Sequence, residues 1–217
     1  MSWPETYSQY DEQQAILGYI DGELLKRSIS PNTAKPGRFL DIGAWDPKTF
    51  SNTRALFERG WGGVMVEPSP RAMLSLLAEY GNEPRIILVE AAIGLTDSIV
   101  QFSMTDDCVS TSNSAHLAKF SAEDNPNRAN YAGKCMVRTI TWEQINTWWG
   151  GFDFVNIDAE GYSVDLFHAM LATGVRPSCV CVEIEQGRML ELSAAATAPG
   201  VGYKLIYSNG TNAVFAR

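Results

Sequence analysis

The chain has 217 residues, 45% of them hydrophobic, 19% charged and 11% aromatic, which supplies one large core and excludes disordered, collagen-like and coiled-coil chains. Its 25 acidic against 17 basic residues leave a formal charge of −8, so nucleic acid and anionic membrane surfaces, which need a basic face, are disfavoured partners. The opening MSWPETYSQYDEQQ has no basic stretch leading into an apolar one, and no window reaches 18 uninterrupted apolar residues; a cytoplasmic protein is expected.

In chain order, the first element is a helix over residues 5–27, with Ile16, Leu17, Ile20, Leu24 and Leu25 at helical spacing, stopped at Ser30-Pro31-Asn32. It forms an N-terminal helical segment within residues 1–35. A short apolar strand, Arg38 to Ile42, runs into Gly43-Ala44, and a helix follows over 51–59. The unit repeats as a strand over 63–67, ended by Pro68-Ser69-Pro70, a helix over 71–80 and a strand over 85–89. From 99 to 138 the pattern weakens. Strands are expected at 99–104 and 136–140, and the polar segment 106–132 between them reads as a loop, so 105–133 is expected to be a lid or substrate loop. The alternation resumes with a strand over 152–158, a helix over 163–172 and a strand over 178–184. Tyr203 to Ala216 reads as an antiparallel hairpin turned at Asn209-Gly210. Alternating strands and helices imply a single α/β domain over 1–217. Its expected fold is a doubly wound, mostly parallel sheet with a C-terminal antiparallel hairpin.

The four cysteines, Cys108, Cys135, Cys179 and Cys181, contain no C-x-x-C pair and read as buried free thiols. With only two histidines in the chain, no metal site is expected. Of these, His168 falls in the apolar helix DLFHAM and reads as structural. His116, in the polar segment, is a candidate base. Trp142, Trp148 and Trp149 read as packing residues.

Ligands of doubly wound sheets sit beyond the carboxyl ends of the strands, where strand order reverses. Strand ends here carry Asp41-Ile42-Gly43-Ala44, Glu67-Pro68, Glu90-Ala91-Ala92 and Asp158-Ala159-Glu160-Gly161. A dinucleotide fingerprint would need two further glycines after Gly43, where the chain has Ala44-Trp45-Asp46-Pro47-Lys48. Carboxylates only accept hydrogen bonds, so Asp41 suits an ammonium or hydroxyl donor and Glu67 suits a pair of ribose hydroxyls. S-adenosylmethionine offers that combination without a phosphate.

In the segments FLDIGAWDPKTFSNT, WGGVMVEPSP, VEAAIG, CVST and FVNIDAEGYSVDLFHAM, the sequence resembles the FkbM-type family of S-adenosylmethionine-dependent methyltransferases. The resemblance implies a Rossmann-like methyltransferase fold and O-methylation of a hydroxyl on a sugar or small natural product. It implies that Asp41, Gly43 and Ala44 surround the methionine end of the cofactor, that Glu67 and Pro68 border the ribose and Ala92 the adenine, and that Asp158 faces both sulfonium and acceptor. Asp158, with Glu160 as alternate, is the candidate general base. The acceptor is then a small molecule or a glycan. Two alternatives remain open from the residues: a noncatalytic Rossmann-like binding protein, and a nucleotide-dependent oxidoreductase, which the missing glycines disfavour.

Overall fold

A computed structural model describes residues 6–26, 35–105, 107–131 and 133–217. Glu5, Arg27, the Ser30-Pro31-Asn32 stop, Asp106 and Ala132 lie outside the described residues. In chain order the elements are α1 (Glu12–Lys26), β1 (Arg38–Ile42), α2 (Arg54–Glu58), β2 (Gly62–Val66), α3 (Pro70–Tyr80), β3 (Ile86–Val89), β4 (Ala92–Ile93) and β5 (Ser98–Met104). They continue with α4 (Ser114–Ser121), β6 (Gly133–Ile140), α5 (Trp142–Trp149), β7 (Phe154–Ile157), α6 (Ser163–Ala172), β8 (Cys179–Glu183), α7 (Met189–Thr197), β9 (Lys204–Ser208) and β10 (Asn212–Ala216).

Seven strands form the central sheet in the order β3-β2-β1-β7-β8-β10-β9. Only β10 runs against its neighbours, so the sheet is doubly wound and mostly parallel, as the strand–helix alternation predicts. The order reverses between β1 and β7, which puts the switch point at the ends of those two strands. Both faces are covered. Ile16 and Leu17 of α1, Ala55 and Leu56 of α2, and Met73 and Leu76 of α3 pack on one face with Phe39, Phe154, Cys179 and Cys181. Trp142 and Ile145 of α5, Phe167 and Met170 of α6, and Leu192 and Ala196 of α7 pack on the other with Leu40, Val155 and Val180. Alternate residues of each strand thus serve opposite layers, and continuous apolar strands follow from that.

The helical boundaries are tighter than the apolar spacing predicts. Residues 6–11 and 51–53 lie outside α1 and α2 and bond to the first turns of those helices instead: the Tyr7 amide donates to Gln13 Oε1 (3.0 Å) and Ser51 Oγ accepts from the Arg54 amide (3.1 Å). The hairpin is present with Asn209 at its turn, where Asn209 Oδ1 accepts from the amides of Thr211 and Asn212 (2.9 and 2.7 Å).

The segment expected to be a loop needs correction. The strands at its ends pair antiparallel, Ile99 opposite Arg138 and Phe102 opposite Cys135, and with β4 make a second, three-stranded sheet. Between them lies the helix α4, capped by Asn113, whose side chain accepts from the amides of Ala115 and His116. No residue of α4 is fully buried and only His116, Leu117 and Phe120 are half-buried, a face too narrow for periodicity to reveal.

Candidate functional site

A cavity of about 970 Å³ opens at the carboxyl ends of the central strands. Asp41, Gly43, Ala44, Glu67, Pro68, Ala92, Asp158 and Glu160 all line it, so the fold brings together residues that the sequence spreads over 120 positions. The second sheet and α4 supply the opposite wall through Phe102, Cys108, Lys119 and Phe120, and the N-terminal segment contributes Gln9 and Tyr10.

The loop after β1 is forced into shape by its neighbours. Gly43 has φ +77°, and a Cβ there would lie 1.7 Å from the carbonyl oxygen of Asp158, so only glycine lets the β1 and β7 ends approach this closely. Trp45 and Phe50 also take left-handed backbone (φ 40° and 58°), and their rings stack at 5.9 Å beside the cavity. Such conformations cost about 1–3 kcal/mol each and persist where the surroundings enforce them. Asp46 takes part in none of the site's contacts; its Oδ1 accepts from the amides of Lys48 and Thr49 and tightens the turn.

Glu67 lies one residue past β2 and is 4% exposed. Its Oε2 accepts from the Trp45 amide (2.9 Å) and its Oε1 from the Ser69 amide (2.7 Å). Each oxygen keeps a further lone pair. Burial pushes its pKa up to about 7 against the pull of those two amides, and the charge of Asp41 adds to the rise.

Asp41 is committed within the protein. Its Oδ1 accepts from Asn156 (2.9 Å) and its Oδ2 from the Thr53 hydroxyl. Asn156 accepts in turn from Asn52 (3.0 Å), which accepts from Ser8 (2.7 Å). This buried chain ties β1, β7, α2 and the N-terminal segment together. Burial raises the Asp41 pKa while the Thr53 and Asn156 bonds lower it.

Asp158 follows β7 directly. Its Oδ1 is buried with no hydrogen-bond partner, and burial, then the charges of Glu183, Glu160 and Asp41, hold its carboxyl well above the usual range. Glu160 has φ 44°, a left-handed turn that aims its side chain back at Asp158 and Glu183. Carboxylate oxygens of Asp158, Glu160 and Glu183 all lie within 4.8 Å of one another. Glu183, at the end of β8, accepts from Ser163 Oγ (2.8 Å), which itself accepts from the Ala159 amide (2.9 Å).

The second wall is fastened to this turn. Thr111 Oγ1 donates to the Glu160 carbonyl and Asn113 Nδ2 to the Gly161 carbonyl, both at 2.7 Å. His116 Nε2 stands 3.0 Å from Glu160 Oε2, without the alignment of a hydrogen bond. Burial lowers the His116 pKa, with the charge of Glu183 opposing.

Other sequence expectations settle into packing roles. Trp142 is buried and donates to the Leu166 carbonyl (2.9 Å), while Trp148 is exposed and meets Trp149 edge to face. His168 sits at the surface beside Glu191 (3.1 Å), an ion-pair position rather than a core one. All four cysteines are free thiols. Among the described residues no helix is long and apolar enough to cross a membrane.

Glu183, Asn156 and Thr53 were not foreseen. The strand-end rule applied to SCVCVEI would have found Glu183. Nothing local marks Asn156 and Thr53, whose roles depend on strand register and on where α2 lands.

Residues 41–193 match the methyltransferase FkbM domain. Among solved structures, the N-terminal domain of human METTL16 in complex with SAH is similar, with a TM-score of 0.50 and 10% identity over 100% of this chain and 74% of that one. Aeropyrum pernix fibrillarin, solved with natively bound S-adenosyl-L-methionine, gives a TM-score of 0.48 and 12% identity over 92% of this chain and 74% of that one. At 10% identity the METTL16 likeness is one of fold. No curated protein matches the chain in sequence.

Proposed function

The chain belongs to the methyltransferase FkbM domain family, and on that basis we propose that it transfers the methyl group of S-adenosylmethionine to a hydroxyl of a sugar or small natural product. The observation that carries this reading is one cavity lined at once by Glu67 and Asp158, with the Oδ1 of Asp158 buried and unpaired. A volume of about 970 Å³ is at the upper end of the roughly 300–1,000 Å³ typical of small-ligand sites, which suits a cofactor and an acceptor together.

The site fits the cofactor chemically. Glu67 has one free lone pair on each oxygen for a pair of ribose hydroxyls. Gly43 and Ala44, over the buried Asp41, border the methionine end, and Pro68 and Ala92 flank the ribose and adenine side. When bound, S-adenosylmethionine supplies a methyl group on a sulfonium. Asp158 accepts the acceptor's hydroxyl proton as the new carbon–oxygen bond forms and the carbon–sulfur bond breaks, the electron pair passing to sulfur. The raised pKa of Asp158 suits it to that exchange, and Glu160 is the alternate. Holding the acceptor in line is the larger contribution, and the wall formed by α4 and the second sheet excludes water from the reacting carbon.

In this reading residues 1–217 are one catalytic domain, 105–133 select the acceptor, and the free thiols and acidic balance go with a cytoplasmic setting and a small or glycan acceptor. The test is mass spectrometry of the protein incubated with isotopically labelled cofactor and a panel of hydroxylated sugars and glycosides. A labelled methyl on an acceptor oxygen is expected. Transfer only to nitrogen or sulfur acceptors would overturn the O-methyl assignment, and cofactor binding without any transfer would favour a noncatalytic binding protein.

A further inference from the structure

We propose that Asp158, Glu160 and Glu183 together bind a divalent cation of the Mg²⁺/Mn²⁺ class in the cavity, beside His116. Three segments distant in sequence converge there: the turn after β7, the end of β8, and α4. Each carboxylate offers an oxygen, and these oxygens lie within 4.8 Å of one another. A cation with bonds of about 2.0–2.6 Å sets opposite ligands about 4–5 Å apart, so one ion can reach all three.

Acidic clusters alone do not make such a site, since three carboxylates can share protons instead. The independent observation is His116. Its side chain is 9% exposed, it arrives on α4 rather than with the acidic residues, and its Nε2 lies beside Glu160 with no hydrogen-bond partner; the Oδ1 of Asp158 is likewise buried without a partner. The His116 nitrogen lies 3.0 Å from Glu160 Oε2. An ordinary histidine–glutamate pair would align an N–H with the oxygen; this one does not. Burial also favours the neutral imidazole.

The charge balance points the same way. Lys119 lines the cavity and its charge acts on Glu160, Glu183 and His116, but it is exposed, with its Nζ 4.9 Å from the centre of the Phe120 ring. Apart from that one screened ammonium, the cluster's charge is answered by shared protons, which a divalent cation displaces on binding. Three carboxylate oxygens suit Mn²⁺ and Mg²⁺ better than the thiolate-loving metals. Glu160 is held for the purpose by its left-handed backbone and by the Thr111 bond to its carbonyl. The ion's use, though not its binding, rests on the methyl-transfer reading: beside Asp158 it would take an acceptor hydroxyl as a ligand and ease loss of its proton.

The test uses the full-length chain, stripped with EDTA and dialysed, and titrated with Mn²⁺ alone. Loss of the free Mn²⁺ electron paramagnetic resonance signal should report one tight site per chain. Glu183→Gln should weaken that site by at least about tenfold and His116→Ala by several-fold, whereas Glu143→Gln, on the solvent face of α5, should leave it unchanged. Circular dichroism checks that each variant is folded, and Asp158→Asn replaces Glu183→Gln if the latter is not. No uptake at millimolar Mn²⁺ by folded protein, or equal uptake by the folded cluster variants, overturns the proposal. S-adenosylhomocysteine binding measured in EDTA separates the two readings, because its failure would sink the methyl-transfer reading and leave the Mn²⁺ result standing.

Discussion

Because Glu67 titrates near pH 7 in the folded protein, cofactor affinity should depend on pH through this one side chain. Only the carboxylate form offers both oxygens as acceptors while keeping the Trp45 and Ser69 amides satisfied. With a pKa of about 7, the ionised fraction is roughly a tenth at pH 6 and nine-tenths at pH 8, so S-adenosylhomocysteine should bind about tenfold more tightly at pH 8, or about 1.4 kcal/mol. Glu67→Gln should abolish that slope and, at pH 8, lose about 1.5–3 kcal/mol of charge-assisted hydrogen bonding. The folding effect has the opposite sign. A carboxyl whose pKa rises on folding contributes stability that is full below its unfolded pKa of about 4.5 and is lost as pH rises through about 7. Wild type should therefore lose up to about 3 kcal/mol relative to Glu67→Gln between pH 4.5 and 8. Calorimetry with S-adenosylhomocysteine at pH 6, 7 and 8, alongside urea melts from pH 4.5 to 8, measures both. A flat wild-type affinity, or a slope retained in Glu67→Gln, would falsify the assignment of Glu67 to the ribose.

Asn156→Ala leaves the Asp41 Oδ1 without a buried partner and the Asn52 amide with only the weak acceptor Cys181 Sγ (3.7 Å), at about 1–3 kcal/mol for the carboxylate; a thermal melt should fall by roughly 2–12 °C for a chain of this size, and an unchanged melt would show that water replaces the side chain. Asp158→Asn keeps the shape but cannot take a proton, so turnover should drop by about 10²-fold or more with acceptor binding retained, and near-normal turnover would move the base to Glu160 or His116. The α4 wall is fastened to the β7 turn by Thr111 and Asn113, so limited proteolysis within 121–131 should slow once cofactor and acceptor are bound. Equal cleavage rates with and without ligands would remove any lid role.

How much of this was legible in the sequence depended on whether the signal was local. Parallel strands were readable from runs such as FLDI and SCVCVEI because both faces of each strand are buried, and the hairpin was readable because Asn209 makes its own turn. The helix α5 carried a capping box, Thr141 with Gln144, that local chemistry could have revealed. The helix α4 offered only its Asn113 cap, since its residues are at most half-buried. Pairing of β5 with β6 closes across a connection whose sequence says nothing about its partner. In the site, the strand-end carboxylates were legible as types and positions. That Asp41 would be consumed by Asn156 and Thr53 was not, because it takes the alignment of β1 with β7 and the landing of α2 to bring those groups together.

Strand register also explains why carboxylates at neighbouring strand ends have different fates. Val89, Val66, Ile42, Ile157 and Val182 form one row across β3, β2, β1, β7 and β8. Asp41 lies one row earlier, directly opposite Asn156, which is itself opposite Cys181. There the sheet is roofed by α1 and α2, and a carboxylate can persist only if protein donors satisfy it. Glu67, Asp158 and Glu183 each stand one residue beyond the row, where the parallel ladder ends and the roof gives way to the cavity. At the same level on β1 stands Gly43, where any side chain would strike the Asp158 carbonyl. The central strand thus contributes backbone and empty space while its neighbours contribute acid, and three acceptor side chains surround a gap that a ligand must fill. A shift of one residue between β1 and β7 would set Asp41 opposite Val155 or Ile157 and turn Asn156 to the other face of the sheet. The Asn156–Asp41 bond opposes that shift, because in the slipped register both groups would lose their buried partners.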